Sequence, residues 1–455
     1  MQERTGLFSK KFLYLLSISC IFFGVLFLIQ GVKDYGDSHQ YVSMHIHREP
    51  GYSLFLWGVR AVFGQYFLSM AAAIQNIFAA IVTAGVVHYI SNEFALKKIG
   101  TGILLLLNFV PHIVTPLFSV EHVIFSNGIM SEAICYPLFL LFVVMCHKMI
   151  MDYNIKNISI AAILAFMLAL TRSQFMVAFL IWLVLLCIKA ISLQKSRYAI
   201  LYIMLVIVMF LGRSVTVKSY NYIFNGRFIS NTYGGVNTLA NILYASNRED
   251  GQRIDDPIAQ EVFYILYDSM VEAGWDKSKA GTSLKEQTDF LEVNHDNIKF
   301  YVVDQEIMDF LVERGMSDYI DRNIESDRIS MIIIKSIMPS CIVEWGKNYF
   351  LLAFRGMIRS IGVVHPVLNW GVLGIYILAF LIWIREWVKN IHSKEGWLIF
   401  ISLLSILAVS FSLPITIMCL SRYTIYNFVG FYMALFVCIL KICREKGEWK
   451  WVTKI

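Results

Sequence analysis

The residues best equipped for chemistry begin with Asp37, His39, His45, His47, Arg48 and Glu49, a polar island between two long apolar segments. A carboxylate so placed can orient or deprotonate a hydroxyl, and imidazoles can line a polar pocket or ligate a metal. Arg48 and Glu49 are candidates for an ion pair with each other. Three further polar features stand at the edges of apolar runs: Ser131-Glu132, Arg172 in Thr171-Arg172-Ser173-Gln174, and Arg422-Tyr423. Guanidinium groups hold a phosphate or pyrophosphate with paired hydrogen bonds. One carboxylate base, a second carboxylate and two arginines on one side of a helical frame therefore suit a reaction with a phosphate leaving group. In a bilayer, the natural substrate bearing such a group is a polyprenyl phosphate, whose tail stays in the lipid.

Each feature also has a purely structural reading. Asp37 is a good N-cap for a helix starting at Ser38, with Gln40 as its capping-box partner, and Pro50-Gly51 would stop that helix. Glu132 at a helix start interacts favourably with the helix dipole. Lone interfacial arginines often reach out to lipid headgroups. His45 and His47 flank the loop and, with Asp37, are the residues to consider for a divalent metal. Positions i and i+2 lie on different helix faces, which argues against that pair, so no metal or other cofactor is predicted.

The frame that must position these groups is membrane-embedded. Of 455 residues, 57% are hydrophobic and 15% aromatic, with a mean hydropathy of +0.61. Several runs reach the roughly 18–20 apolar residues that span a bilayer. The fold class is thus an all-α polytopic membrane protein. Candidate spans cover 12–30, 66–90, 99–118, 132–150, 157–170, 175–191, 198–212, 367–385, 396–413 and 423–443. The charged start (Arg4, Lys10, Lys11) before 12–30 is signal-peptide-like, but the core is long and no small-residue cleavage site follows, so it reads as an uncleaved span. The net charge of +6 does not point to nucleic acid, because the basic residues gather at segment ends. The eight cysteines include no CxxC pair and imply no disulfide framework.

Orientation follows from the basic residues. Alternate segments carry Arg4, Lys10, Lys11, Lys97, Lys98, Lys148, Lys156, Lys189, Lys195, Arg197, Arg385, Lys389, Lys394, Lys441, Arg444, Lys446, Lys450 and Lys454. The intervening short loops include Lys33, Arg48, Arg172 and Arg422. The first set should be cytoplasmic, with both termini inside, which places the Asp37 island, Glu132, Arg172 and Arg422 outside. Three regions follow: a transmembrane module over 1–212 with its first outer loop at 31–65, an outer segment over 213–366, and C-terminal spans over 367–455. Within the outer segment, Ile329–Val343 and Tyr349–Ile361 are apolar stretches interrupted by Lys335, Pro339, Arg355 and Arg359. They are expected to lie as two basic amphipathic helices in the membrane interface.

In this order and topology, the motifs resemble the GT-C superfamily of multi-pass glycosyltransferases, which use lipid-phosphate-linked sugars. Gly36-Asp37-Ser38 resembles that family's catalytic Asp in the first outer loop. Arg48-Glu49-Pro50-Gly51-Tyr52 is similar to its Arg-x-Pro-Gly-Tyr-type stretch. Ser131-Glu132, Thr171-Arg172-Ser173 and Ser421-Arg422-Tyr423 match its later motifs more loosely, lacking a Pro after Arg172 and a Glu before Arg422. The resemblance implies a polyprenyl-phosphate-sugar donor and an acceptor hydroxyl on a glycan, glycolipid or protein, joined with inversion. It implies Asp37 as base, Arg172 and Arg422 on the donor phosphate, Glu132 supporting acceptor or sugar, and His39, Tyr41, Arg48 and Tyr423 lining the site. It also implies a bacterial-type inner membrane with the active site outside. An O-antigen polymerase or ligase, with arginines in late outer loops, is the nearer alternative. A transporter, which should show repeats and mid-membrane charges, is the more distant one.

Overall fold

The computed structural model describes residues 9–118, 122–195 and 197–446. Arg4, Lys450 and Lys454, used for orientation above, lie outside the described residues, as does the side chain of Lys446. Among the described residues there is no strand; the sole β feature is an isolated parallel bridge between Lys33 and Gly128. The helices in order are α1 Lys10–Gln30, α2 Ser38–Val42, α3 Pro50–Phe63, α4 Phe67–Glu93, α5 Lys98–Phe118, α6 Glu132–Met151, α7 Ile155–Thr171, α8 Val177–Ser192 and α9 Arg197–Asn225. They continue with α10 Gly234–Ala245, α11 Pro257–Glu272, α12 Leu284–Asn297, α13 Gln305–Glu313 and α14 Tyr319–Ile361. The last are α15 Leu368–Lys389, α16 Lys394–Ser412, α17 Ser421–Thr424 and α18 Tyr426–Lys446.

Among the described residues, ten helices are long and apolar enough to cross a membrane. The protein is an all-α, multi-pass membrane protein. Nine of the expected spans fall on these helices. The expected span at 157–170 falls on α7, which is apolar but shorter, and the tenth long helix is α14. Two expectations about helix ends are not met. Pro50 does not stop α2, which already ends at Val42; it occupies the first turn of α3 instead, where its missing N–H costs nothing. Likewise 329–361 is not two interfacial pieces but part of one 43-residue helix running through Pro339. Arg355, expected at a lipid surface, is buried and pairs with Asp289 and with Glu292 at 2.8 Å.

Two compact units are formed, one of 1–217, 358–409 and 421–455 and the other of 218–357 and 410–420. In the first, α6 is buried on almost every face, through Cys135, Phe139, Phe142 and Cys146 among others, as expected of a helix apolar all round. By contrast, α9 exposes Ile200, Met204, Val208 and Leu211, which is the surface a lipid-facing helix presents. The second unit has its own core, with Leu239, Leu243, Phe263, Leu266, Val303 and Ile333 at its centre. All eight cysteines are free thiols.

Candidate functional site

The first unit brings together polar residues from four distant stretches of chain. The loop after α1 is stitched to the segment before α6: Lys33 N–H donates to the Asn127 carbonyl at 3.0 Å, and Ile129 N–H donates to the Lys33 carbonyl at 2.9 Å. Ser38 Oγ reinforces this by donating to the Ile129 carbonyl at 2.7 Å. Beneath it, Gln75 and Asn76 of α4 hold the Ser126, Asn127 and Gly128 backbone and side chains through buried hydrogen bonds, and Gln75 also accepts from the Tyr52 hydroxyl at 2.8 Å. These buried hydrogen bonds tie the segment before α6 to α4. The sequence does carry a signal for them, an adjacent Gln75-Asn76 pair inside an apolar run, which sequence reasoning passed over.

Asp37 does precede a helix at Ser38, but its side chain makes no capping bond. Its backbone is helical (φ −90°, ψ −5°), whereas a capping residue usually needs an extended backbone to aim its oxygen at the next turn. The carboxylate instead pairs with Arg48 at 2.6 Å. Gln40 is not a capping partner either; its side-chain oxygen accepts from Arg48 Nε at 2.7 Å. The expected Arg48–Glu49 pair is likewise replaced, because Glu49 pairs with Arg213 of α9. Arg213 also donates to the Ala169 carbonyl at 3.2 Å. Next to this clamp, a Cβ on Gly51 would lie 2.7 Å from Thr171 Oγ1 and 2.8 Å from the Leu170 carbonyl oxygen. Glycine there lets the start of α3 seat directly on the end of α7, immediately before Arg172.

Arg172 ends α7 in an extended conformation, which throws its side chain toward the first turn of α6. It pairs with Glu132 at 2.7 Å and donates to Ser131 Oγ at 3.1 Å. Ser131 does not cap α6 with its side chain. Its hydroxyl accepts from Tyr41 at 3.0 Å and donates to Glu132 at 3.2 Å. Tyr41 thus links the two ion pairs, reaching Glu132 and Arg172 through Ser131 while the Arg48 guanidinium lies over its ring at 5.1 Å. On the other side, Arg172 lies over the Tyr423 ring at 4.7 Å and Arg422 over the same ring at 4.5 Å. Arg422 also bonds the hydroxyls of Tyr423 and Tyr35. The contacts thus run from Asp37 through Arg48, Tyr41, Ser131, Arg172, Tyr423 and Arg422 to Tyr35, and the backbone from Tyr35 to Asp37, two residues on, closes them into a ring.

Electrostatics sharpen the roles. Burial pushes the Tyr41 phenol up, against the pull of Arg48 and Arg172, so it remains a hydrogen-bond donor. Burial opposes the Arg422 charge, but Tyr423 and then Glu132 outweigh it and hold the guanidinium protonated. Arg422 Nε and the Tyr426 hydroxyl are buried with no hydrogen-bond partner among the described residues. Orphaned buried donors of this kind call for an explanation, and oxygen atoms of an anion would satisfy Arg422. The Asp37 side chain is 38% exposed, against 5% for Glu132.

The histidines stay out of the ring. His39 is exposed. His45 and His47 lie beyond the end of α2, so the helix-face argument does not govern them, and their rings meet edge to face at 4.3 Å. His47 N–H donates to His45 Nδ1 at 3.3 Å. Burial, then Arg48, lowers the His45 pKa to about 4, keeping it neutral. Among the described residues, no group of three or more His, Cys, Asp or Glu side chains converges to hold a metal ion. Tyr35 and Arg213 are the members that sequence reasoning passed over. Arg213 had a signal, a lone charge after the apolar run 198–212.

Set against known proteins, the chain matches no family model, no curated protein and no solved structure.

Proposed function

We propose that this protein is a membrane glycosyltransferase of the GT-C kind, moving a sugar from a polyprenyl-phosphate donor to an acceptor hydroxyl. The acceptor is an envelope glycan, a glycolipid or a protein, and the reaction runs at the outer face of a bacterial-type cytoplasmic membrane. The observation that carries this reading is the closed ring joining an accessible carboxylate, Asp37, to two guanidiniums, Arg172 and Arg422, from the far side of the sequence.

In the proposed reaction, the Asp37 carboxylate takes the proton of the acceptor hydroxyl as its oxygen attacks the anomeric carbon. The bond from that carbon to the phosphate oxygen breaks on the opposite face, so configuration inverts. The electron pair leaves on the polyprenyl phosphate, which Arg172 and Arg422 stabilise as its charge grows. Arg48 orients the base, and Tyr41 transmits its position to Ser131 and Glu132. Arg48 engages one Asp37 oxygen, which leaves the other to receive the proton.

The test is a transfer assay in proteoliposomes with radiolabelled polyprenyl-phosphate hexoses as donors and an envelope extract as acceptor. Label reaching the acceptor with wild type but not with a correctly folded Asp37→Asn variant supports both the reaction class and the base. Transfer retained in that variant rules Asp37 out as the base. No transfer from any donor with folded wild type rejects the reading in favour of a polymerase or ligase.

A further inference from the structure

The other end of the first unit holds a second charged feature. Where the turn after α4 meets the start of α16 and the end of α18, a cavity of about 220 Å³ is lined by Phe94, Leu96, Glu395, Leu440, Lys441 and Arg444, among others. Its walls are half apolar: Phe94, Leu96 and Leu440 are buried core residues. Its charges are arranged so that most cancel locally. Lys441 bonds Glu386 at 2.6 Å and Glu395 at 2.8 Å. Arg385 bonds Glu386 at 2.6 Å, and Glu445 is shared between Arg385 and Lys389. Ser393 donates to both Glu386 and Glu395.

Three carboxylates, Glu386, Glu395 and Glu445, are therefore matched by three cations, Arg385, Lys389 and Lys441. Arg444 is left over. Its side chain donates to the Phe94 carbonyl at 3.5 Å, and no carboxylate pairs with it among the described residues. A guanidinium at the mouth of a cavity, with four N–H donors still to place, is built to take a tetrahedral oxyanion. The apolar wall beside it suits the first carbons of a lipid chain.

We propose that this cavity binds a singly charged phosphate group through Arg444, independently of the ring around Asp37 and of the reaction proposed for it. The shared chemistry is a phosphate oxygen pair on the guanidinium; the source is either a phospholipid headgroup or soluble phosphate.

The experiment uses the full chain in a phosphate-free maltoside detergent and follows adducts by native mass spectrometry. Three probes are added in turn: dihexanoyl phosphatidylglycerol, dihexanoylglycerol without phosphate, and inorganic phosphate alone. Phosphatidylglycerol should bind at least tenfold more tightly than the phosphate-free lipid. Arg444→Gln should weaken that binding by about 10- to 100-fold, the loss expected for a charge-assisted hydrogen bond. Arg444→Lys, which keeps the charge and loses the planar fork, should fall between them. Inorganic phosphate competing at similar concentration assigns the site to soluble phosphate, and failure to compete assigns it to lipid. Equal binding of the phosphate-free lipid overturns the proposal. So does unchanged binding by Arg444→Gln. The probe comparison needs wild type alone, so a variant that does not fold leaves the proposal open to refutation.

Discussion

Two carboxylate–guanidinium pairs stand on either side of Tyr41, and they differ in almost everything except composition. Asp37 and Arg48 lie close together in sequence in one loop and are partly open to solvent. Glu132 and Arg172 come from the start of α6 and the end of α7 and are enclosed by Ser131, Tyr41 and Tyr423. A partly exposed pair contributes little to stability, because water already solvates both partners. Breaking a buried pair by removing one partner is costly, because it strands the other charge in a medium that solvates it poorly. The comparison separates a carboxylate available for reaction from one that holds the frame.

The largest effect that sharpens this contrast is on activity. Asp37→Asn is expected to lower sugar transfer by about 10²- to 10⁴-fold, the usual contribution of a general base. The same change should alter thermal stability in detergent by less than about 1 kcal/mol. A large loss of melting temperature in this variant would break the contrast. Next in size, Glu132→Gln is expected to destabilise the protein by about 3–5 kcal/mol. The double variant with Arg172→Gln should recover part of that loss, read as a coupling in a thermal-shift double-mutant cycle.

Smaller again is the seat of α3 on α7. Gly51→Ala forces a methyl against the Leu170–Thr171 backbone and should cost about 1–3 kcal/mol, the range for overpacking. No change in melting temperature would show that the two helix ends part freely. The last effect, cut down by solvent because His45 is only half-buried, is a pH dependence. The His45 pKa falls from 6.5 to about 4 in the folded protein, so between those values the unfolded chain binds a proton that the native loop refuses. Stability should therefore drop as pH falls from about 6.5 toward about 4, and level off below. His45→Gln should flatten that part of a melting-temperature curve.

Much of the frame was legible because apolar length is a local property of the chain. The runs at 12–30, 132–150 and 175–191 needed no partner to be recognised. Of the candidate site residues, Asp37, Glu132, Arg172 and Arg422 could be named because they stand at the edges of long apolar runs, while Tyr41, Arg48 and Tyr423 were assigned to the site by the resemblance alone. Their pairings were not legible. Glu49 sits beside Arg48 in sequence yet bonds Arg213, and Gln40 abandons the helix end for Arg48. Which partner a charge takes depends on where the chain returns, and nothing in the spacing of 37–49 encodes the return of α9. The continuous α14 escaped for the opposite reason. Its interruptions at Lys335, Arg355 and Arg359 look like an interface, but Arg355 finds Asp289 and Glu292 inside the second unit.

The ring around Tyr41 and Tyr423 also has an arithmetic. It contains two carboxylates, Asp37 and Glu132, and three guanidiniums, Arg48, Arg172 and Arg422, while Tyr41 stays protonated and His45 beside it stays neutral. One positive charge remains over. A phosphodiester, with its single negative charge, brings the enclosure to neutrality. A diphosphate-linked molecule would enter with a negative charge unmatched in a poorly solvating site. If the proposed function holds, the count of charges favours a donor with one phosphate between sugar and lipid over a donor with two.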